Sequence, residues 1–423
     1  MNLIKELAWR GMIQDIIPGT EEQLNKEVTT GYVGFDPTAD SLHIGSLVPI
    51  ILLVHLQRSG HKPIALVGGA TGMVGDPSGK SEERNLLNED TLLHNQQGIR
   101  RQLEKFLDFD SVGTAAEMVN NADWFREMNF LHFIRDVGKY ITVNYMMAKD
   151  SVKKRLEGES GMSFTEFTYQ LIQGYDFHWL YENKGCKLQM GGSDQWGNIV
   201  TGTELIRKKS GGEAFAFTCP LIRKADGGKF GKTESGNVWL DPQRTSPYQF
   251  YQFWLNASDS DAEAWIRIFT FLDRQTIEGL IAEHKEDASK RILQKRLAKE
   301  ITEWVHGTEN FAAAIETSNK LFDNQQAPAS ELSEEDLQNI EGIVTASLSR
   351  EKFLNSDLPT LLVEAGIFPS KGQAKNMIAD GGVSINRIKV QDLQSKPNES
   401  MLLHGKYVLI QKGKKNYYLL NIG

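Results

Sequence analysis

The 423-residue sequence holds only two cysteines, Cys186 and Cys219, with no Cys-x-x-Cys or Cys/His ligand spacing. That excludes a disulfide framework and a structural zinc, and no metal-ligating constellation is visible. Long apolar runs are missing too: the longest uncharged, mostly apolar stretch lies between His43 and His55, far short of the roughly 20 residues that cross a bilayer. No membrane-spanning helix is predicted. The opening MNLIKELAWRGMIQD carries acid within its first turns and lacks the apolar core and small-residue cleavage site of a signal peptide. It predicts an amphipathic helix and a cytoplasmic location. Gly and Pro are too few (38 and 12) and apolar residues too many (40%) for a disordered or fibrous chain.

A net charge of −8 excludes general coating of nucleic acid, but it hides an asymmetry. From Asp357 to Gly423 nine Lys and Arg face five Asp and Glu, a net of +4. A basic tail follows an acidic body.

At roughly 150 residues per domain the length predicts two to three domains. Residues 28–220 alternate β-like runs (TTGYVGF, PIALVGG, CKLQMGG) with helical patterns, the β-α-β signature of a doubly wound parallel sheet. Residues 1–222 are assigned to this α/β, Rossmann-like domain, with a mainly helical insertion at about 86–163. Residues 223–236, RKADGGKFGKTESG, have too little apolar content to pack and predict an exposed mobile loop. The 3- and 4-residue periodicity that follows predicts a helical domain over 237–323. Residues 324–356, polar and containing Pro328, are assigned to a linker, and 357–423 to a small basic αβ domain.

The Gly-rich segment Gly68–Arg84 is no Walker A loop, because Val74 stands where its first glycine belongs, and it contains no Gly-x-Gly-x-x-Gly. It does gather Thr71, Asp76, Lys80 and Arg84 after a strand, where open parallel sheets bind ligands. Upstream, Thr38, His43, Gly45 and Ser46 fall between a strand and an apolar helix, a place where backbone N–H groups can receive phosphate. Lys229, Lys232 and Thr233 form a second basic element. In SFTEFTYQLIQGYDF, Ser163 and Glu166 fit a capping box. Tyr169, Gln173 and Asp176 then share one face of a helix that is apolar nearly all round, and such a buried polar stripe needs partners. GGSDQWGN reads as a strand-to-helix turn with Ser193 as N-cap.

HIGS at His43–Ser46 and KFGKT at Lys229–Thr233 resemble the two signatures of class I aminoacyl-tRNA synthetases. The strings YVGFDPTADSLHIG, LVGGATGMVGDPSGK, SFTEFTYQLIQGYDF, GGSDQWGN and KFGKTESGNVWLDP resemble the bacterial-type tyrosyl-tRNA synthetases, and the resemblance runs to the C-terminus. It implies ATP, accompanied by Mg2+, L-tyrosine and tRNA-Tyr as substrates, no bound organic cofactor, and a homodimer. It implies that Tyr169, Gln173 and Asp76 hold the amino group of tyrosine, that Tyr32 and Asp176 bond its phenolic hydroxyl, and that Gln195 approaches its carboxyl group. Asp36, Gly192 and Asp194 would lie at the ribose, Gly45 and Ser46 at the nucleotide, and Thr38, His43, Lys80, Arg84, Lys229, Lys232 and Thr233 at the phosphates. Helical residues 237–323 would serve the anticodon side. The tail is similar to a small αβ RNA-binding domain, with Lys371 and Lys375 on one helix face toward tRNA. Two positions depart from the pattern: Ser46 replaces the second signature histidine, and Val33 stands where many relatives carry cysteine. Altered ATP affinity is expected.

Overall fold

The run TGYVGF and the run KPIALV are apolar and β-branched enough to be covered on both faces, and each forms a buried strand of one parallel sheet. The computed structural model describes residues 2–76, 87–157, 161–233, 236–322, 328–334, 337, 343–393, 395–413 and 416–423. Its first sheet contains β1 (Thr30–Phe35), β2 (Lys62–Val67), β3 (Glu117–Asn120), β4 (Cys186–Gly192) and β5 (Phe215–Cys219), in the order β3-β2-β1-β4-β5, and the short strands β6 (Lys232–Thr233) and β7 (Gly236–Asn237) pair separately. All neighbours run parallel. The order reverses between β1 and β4, and at such a switch point the carboxyl ends of the strands open a crevice. Asp36, Gly68, Asn121 and Asn198 all gather near that edge, directly after β1, β2 and β3 or on the helix following β4.

The helix Leu47–Arg58 crosses from β1 to β2 with Leu47, Val48 and Ile50–Leu56 buried. The pocket helix, Phe164–Lys184, begins at the expected capping box: Ser163 Oγ accepts from Glu166 N–H, and the Glu166 carboxylate accepts from Ser163 N–H. It packs on the helix Trp196–Ser210 where glycines allow close approach. A Cβ on Gly202 would lie 2.9 Å from Phe177 Cβ, and one on Gly174 would lie 3.2 Å from Thr201 Cγ2. Tyr32, Ile64, Leu66, Trp124, Phe177, Leu180, Cys186 and Ile206 form the core beneath.

Several boundaries differ from the sequence expectation. The segment about 86–163 is not only helical: β3 lies inside it and forms the sheet edge on β2. Ser193 is not the N-cap, since Gly192 takes that position before a 3-10 turn at Ser193–Gln195, with no side-chain cap. The helices after residue 237 fall into two units. Met1–Asp241 and Ser258–Leu293 form the first, and Pro242–Ala257 with Gln294–Gly423 form the second. In the first unit Arg10, buried, donates to the carbonyls of Arg267, Thr270 and Leu272 at 2.6–2.7 Å, which ties that helical return to the N-terminal helix Leu3–Trp9.

In the second unit the helices Pro247–Leu255 and Thr308–Phe322 pack through Tyr251 and Phe311, ring centroids 5.9 Å apart. Its sheet has the order β10-β9-β11-β12-β8, from β8 (Val344–Leu348), β9 (Val383–Ile385), β10 (Ile388–Val390), β11 (Tyr407–Lys412) and β12 (Asn416–Ile422). Val344–Leu348, assigned by sequence to a linker, is therefore an edge strand parallel to β12. Helix Lys371–Ala379 buries Ala374 and Ile378 under this sheet and leaves Lys371 and Lys375 exposed. Ser370 caps it, its Oγ accepting from Gln373 N–H.

Candidate active site

The carboxyl ends of β1, β2 and β4 open into a cavity of about 980 Å³. It is lined by Tyr32, Asp36, Thr38, His43, Gly45, Ser46, Asp76, Tyr169, Gln173, Asp176, Gly192, Asp194, Gln195 and Lys229, so fourteen residues named from the sequence meet in one place. Val33 lines it as well. Lys80 and Arg84 lie outside the described residues, as do the side chains of Lys232 and Thr233. Lys371 and Lys375 belong to the second unit.

At the floor, Asp176 is 2% exposed. Its Oδ1 accepts from Trp124 Nε1 at 2.9 Å and its Oδ2 from Asn121 Nδ2 at 3.0 Å. Burial pushes the carboxyl group up to about 8, overriding the two hydrogen bonds that favour its ionised form, with Asp36 adding to the rise. Beside it the Tyr32 hydroxyl is buried and has no hydrogen-bond partner among the described residues. Burial, then the nearby Asp176, holds this phenol well above its ordinary range, so it remains a donor. An unsatisfied hydroxyl of this kind costs about 1–3 kcal/mol. A ligand that presents a hydroxyl removes the cost.

Along the wall, Tyr169 Oη donates to Asp36 Oδ2 at 3.1 Å and Thr71 Oγ1 donates to Asp36 Oδ1 at 2.9 Å. Gln195 Nε2 donates to Asp76 Oδ2 at 2.7 Å, and Asn198 Nδ2 donates to Gln173 Oε1 at 2.9 Å. Gly68 is fixed by this packing, because a Cβ there would lie 2.3 Å from Thr71 Oγ1 and 2.5 Å from Asp36 Oδ1. Asp36 and Asp76 thus face the cavity with these donors around them and suit a cationic amine.

At the mouth, His43 Nδ1 accepts the Gly45 N–H at 3.0 Å. The sequence offered that N–H to phosphate, but the imidazole has taken it. The bond places the ring proton on Nε2, which becomes the donor at this point. The segment after the KFGKT loop is stitched to the histidine motif: Ile44 N–H donates to Val238 O at 3.0 Å and Leu240 N–H donates to Leu42 O at 2.8 Å. The two signatures are neighbours in space.

The family model described as tRNA synthetases class I (W and Y) matches residues 24–323. The chain belongs to this family. A second model, the tyrosine–tRNA ligase SYY-like C-terminal domain, matches residues 325–420 of this synthetase. The tyrosine–tRNA ligase of Bacteroides thetaiotaomicron is 61% identical to it, with 99% of each chain covered. That of Porphyromonas gingivalis is 60% identical, again over 99% of each. A C-terminally truncated mitochondrial tyrosyl-tRNA synthetase from Aspergillus nidulans superposes with a TM-score of 0.69 at 31% identity, covering 76% of this chain and 94% of that one.

Sequence reasoning missed Asn121, Trp124, Asn198 and Gln189 in this synthetase. Asn121 and Trp124 follow β3, a four-residue strand inside a segment of helical periodicity. Gln189 lines the cavity from β4, 2% exposed, with Oε1 unpartnered among the described residues. A polar residue inside the run CKLQMGG was the available signal.

Proposed function

We propose that this synthetase joins L-tyrosine to tRNA-Tyr in two steps at this cavity. A tyrosine carboxylate oxygen attacks the α-phosphorus of ATP, the bond to the β-phosphate breaks, and pyrophosphate leaves with the electron pair. The terminal ribose hydroxyl of tRNA then takes the tyrosyl group and AMP departs. No side-chain nucleophile is needed, so the protein contributes position and charge stabilisation. ATP enters as its magnesium complex.

The observation that carries the reading is the floor. The Tyr32 hydroxyl, unpartnered among the described residues, donates to the phenolic oxygen, and Asp176, held by Trp124 and Asn121, accepts a hydrogen bond from the phenolic O–H. A site built to bond a hydroxyl rejects the analogue that lacks one, a rule for which tyrosyl-tRNA synthetases are the standing example. Asp76, Gln173 and Tyr169 receive the ammonium group, and Gln195 the carboxyl side. Asp36, Gly192, Asp194, Gly45 and Ser46 receive the nucleoside. Thr38, His43 through Nε2–H and Lys229 receive the phosphates, a role the resemblance also assigns to Lys80, Arg84, Lys232 and Thr233.

Lys371 and Lys375 present charge to tRNA from an exposed helix face. Phe130, Leu131, Val143 and Phe164, exposed by 58–74%, supply the apolar surface of a homodimer. No described helix is long and apolar enough to cross a membrane.

ATP–pyrophosphate exchange with tyrosine, phenylalanine and tryptophan in parallel tests the proposal. Exchange with tyrosine alone supports it. Exchange with tryptophan, or with no amino acid by folded protein that still binds RNA, refutes it.

A further inference from the structure

The lysine-bearing loop is exposed at Arg223, Ala225–Gly227 and Lys229, yet it is held at several points. Within it Gly227 N–H donates to Lys224 O, Lys224 N–H to Gly228 O, and Gly228 N–H to Asp226 Oδ1 at 2.8–3.0 Å. This turn is then held from outside at two points, both on one helix of the same unit, Asp259–Phe269. Ala225 N–H donates to Asp261 Oδ1 at 2.8 Å. Phe230, between the signature lysines, stacks on Phe269 at 5.1 Å and meets the edge of Trp265 at 5.0 Å. Phe269, Trp265 and Asp261 are themselves buried, and the far end of the helix is pinned by Arg10 through the carbonyls of Arg267 and Thr270.

We infer that this helix is the platform that sets the loop for phosphate transfer, with Asp261 and Phe230 as positioning residues for the adenylation step. The inference rests on the function proposed above. Lysine ammonium groups act on phosphate as point charges, so their value depends on where the loop rests when ATP is bound. A buried carboxylate accepting a backbone N–H fixes the near side of the turn, and an aromatic stack fixes the side next to Lys229. Asp261 does not line the cavity, so it acts only through the loop.

Asp261 also has a second contact, which the test must separate. Its Oδ2 accepts from Ser258 Oγ at 2.7 Å, and Ser258 caps the helix by accepting Asp261 N–H at 3.1 Å. The full chain is assayed by tyrosine-dependent ATP–pyrophosphate exchange, with tyrosine affinity read by fluorescence titration. Asp261→Ala lowers kcat by about 10- to 100-fold with tyrosine affinity unchanged, the scale expected when a reacting group is misplaced by about 1 Å. Asp261→Asn, which keeps an oxygen for Ala225 N–H, restores most of the rate. Ser258→Ala lowers the Tm but leaves kcat within about twofold, since an N-cap contributes about 1 kcal/mol to stability and the Asp261 oxygen that holds the loop is the one Ser258 does not bond. Phe230→Ala probes the second anchor without touching the helix and lowers kcat by at least about tenfold. Phe230→Met, which offers sulfur to both rings, recovers it. Wild-type kcat in both Asp261→Ala and Phe230→Ala, or a loss in Ser258→Ala as large as in Asp261→Ala, overturns the inference. Absence of tyrosine-dependent exchange in the wild-type protein would instead overturn the proposed function.

Discussion

Asp176 lies 2% exposed on a 21-residue helix, with both carboxyl oxygens bonded to side chains from a different part of the sheet. Lys229 lies exposed on a loop anchored through the Ala225 N–H to Asp261 and through Phe230 to Phe269 and Trp265. The first arrangement is suited to discrimination, because a buried group that loses its partner cannot turn to water. The second is suited to transfer, because phosphates must enter, change charge and leave as pyrophosphate. The two ends of one cavity are built to different tolerances.

The widest separation between them is expected from Asp176→Ala. It strands Trp124 Nε1 as well as the ligand hydroxyl and leaves Asn121 Nδ2 with its bond to Thr71 Oγ1, so kcat/KM for tyrosine falls by at least about 100-fold while the KM for ATP is unchanged. Steady-state exchange kinetics with each substrate varied checks this. An equal rise in the KM for ATP would erase the comparison.

Gly68→Ala attacks the junction of the two ends. Its Cβ would overlap Thr71 Oγ1 and Asp36 Oδ1, displacing the carboxylate that Tyr169 also bonds. Adenylation falls by roughly 10- to 100-fold, measurable by single-turnover formation of the adenylate, with the fold retained by circular dichroism.

His43→Ala works at the phosphate end alone. It removes the Nε2 donor and frees the Gly45 N–H, lowering kcat by roughly tenfold and the stability by about 1 kcal/mol, with tyrosine affinity intact by fluorescence titration.

The smallest effect is the pH dependence of the floor. With its carboxyl group at about 8, Asp176 is mostly protonated at neutral pH and ionises as pH rises. The ionised form is the stronger acceptor, so kcat/KM for tyrosine rises through pH 8 in the wild type and is flat there in Asp176→Asn. The same shift makes the ligand-free fold lose stability from about pH 4 to about pH 8, since there the folded chain holds a proton the unfolded chain has released. Denaturation midpoints across that range, wild type against Asp176→Asn, read the slope.

What the sequence made legible follows the same division. Tyr32, Asp36, His43 and Asp176 sit in long periodic elements or dense motifs, and all reach the cavity. Asn121 and Trp124 were hidden because β3 is four residues long with every position half-buried, so neither a period of two nor an apolar run marks it. β8 was hidden because an edge strand keeps one face in water, and VTASL reads as polar linker until β12 pairs with it. A cut at Asp357 would therefore strip β8 from its sheet, and the truncation that isolates adenylation from tRNA charging belongs after residue 322. The loop is exposed as its composition implies, but composition averages over fourteen residues and does not show its anchors, the Ala225 N–H on Asp261 and Phe230 on Phe269 and Trp265.

The most direct test of hydroxyl selection is the ratio of kcat/KM for tyrosine to that for phenylalanine, measured by pyrophosphate exchange in the wild type and in Tyr32→Phe. Tyr32→Phe removes the unpartnered donor and leaves the Phe177 contact, with its ring centroids 5.4 Å apart. The account predicts that tyrosine loses roughly 5- to 20-fold while phenylalanine is unchanged or improved, narrowing the ratio by about 1–2 kcal/mol. An unchanged ratio, with both amino acids falling together, would contradict it.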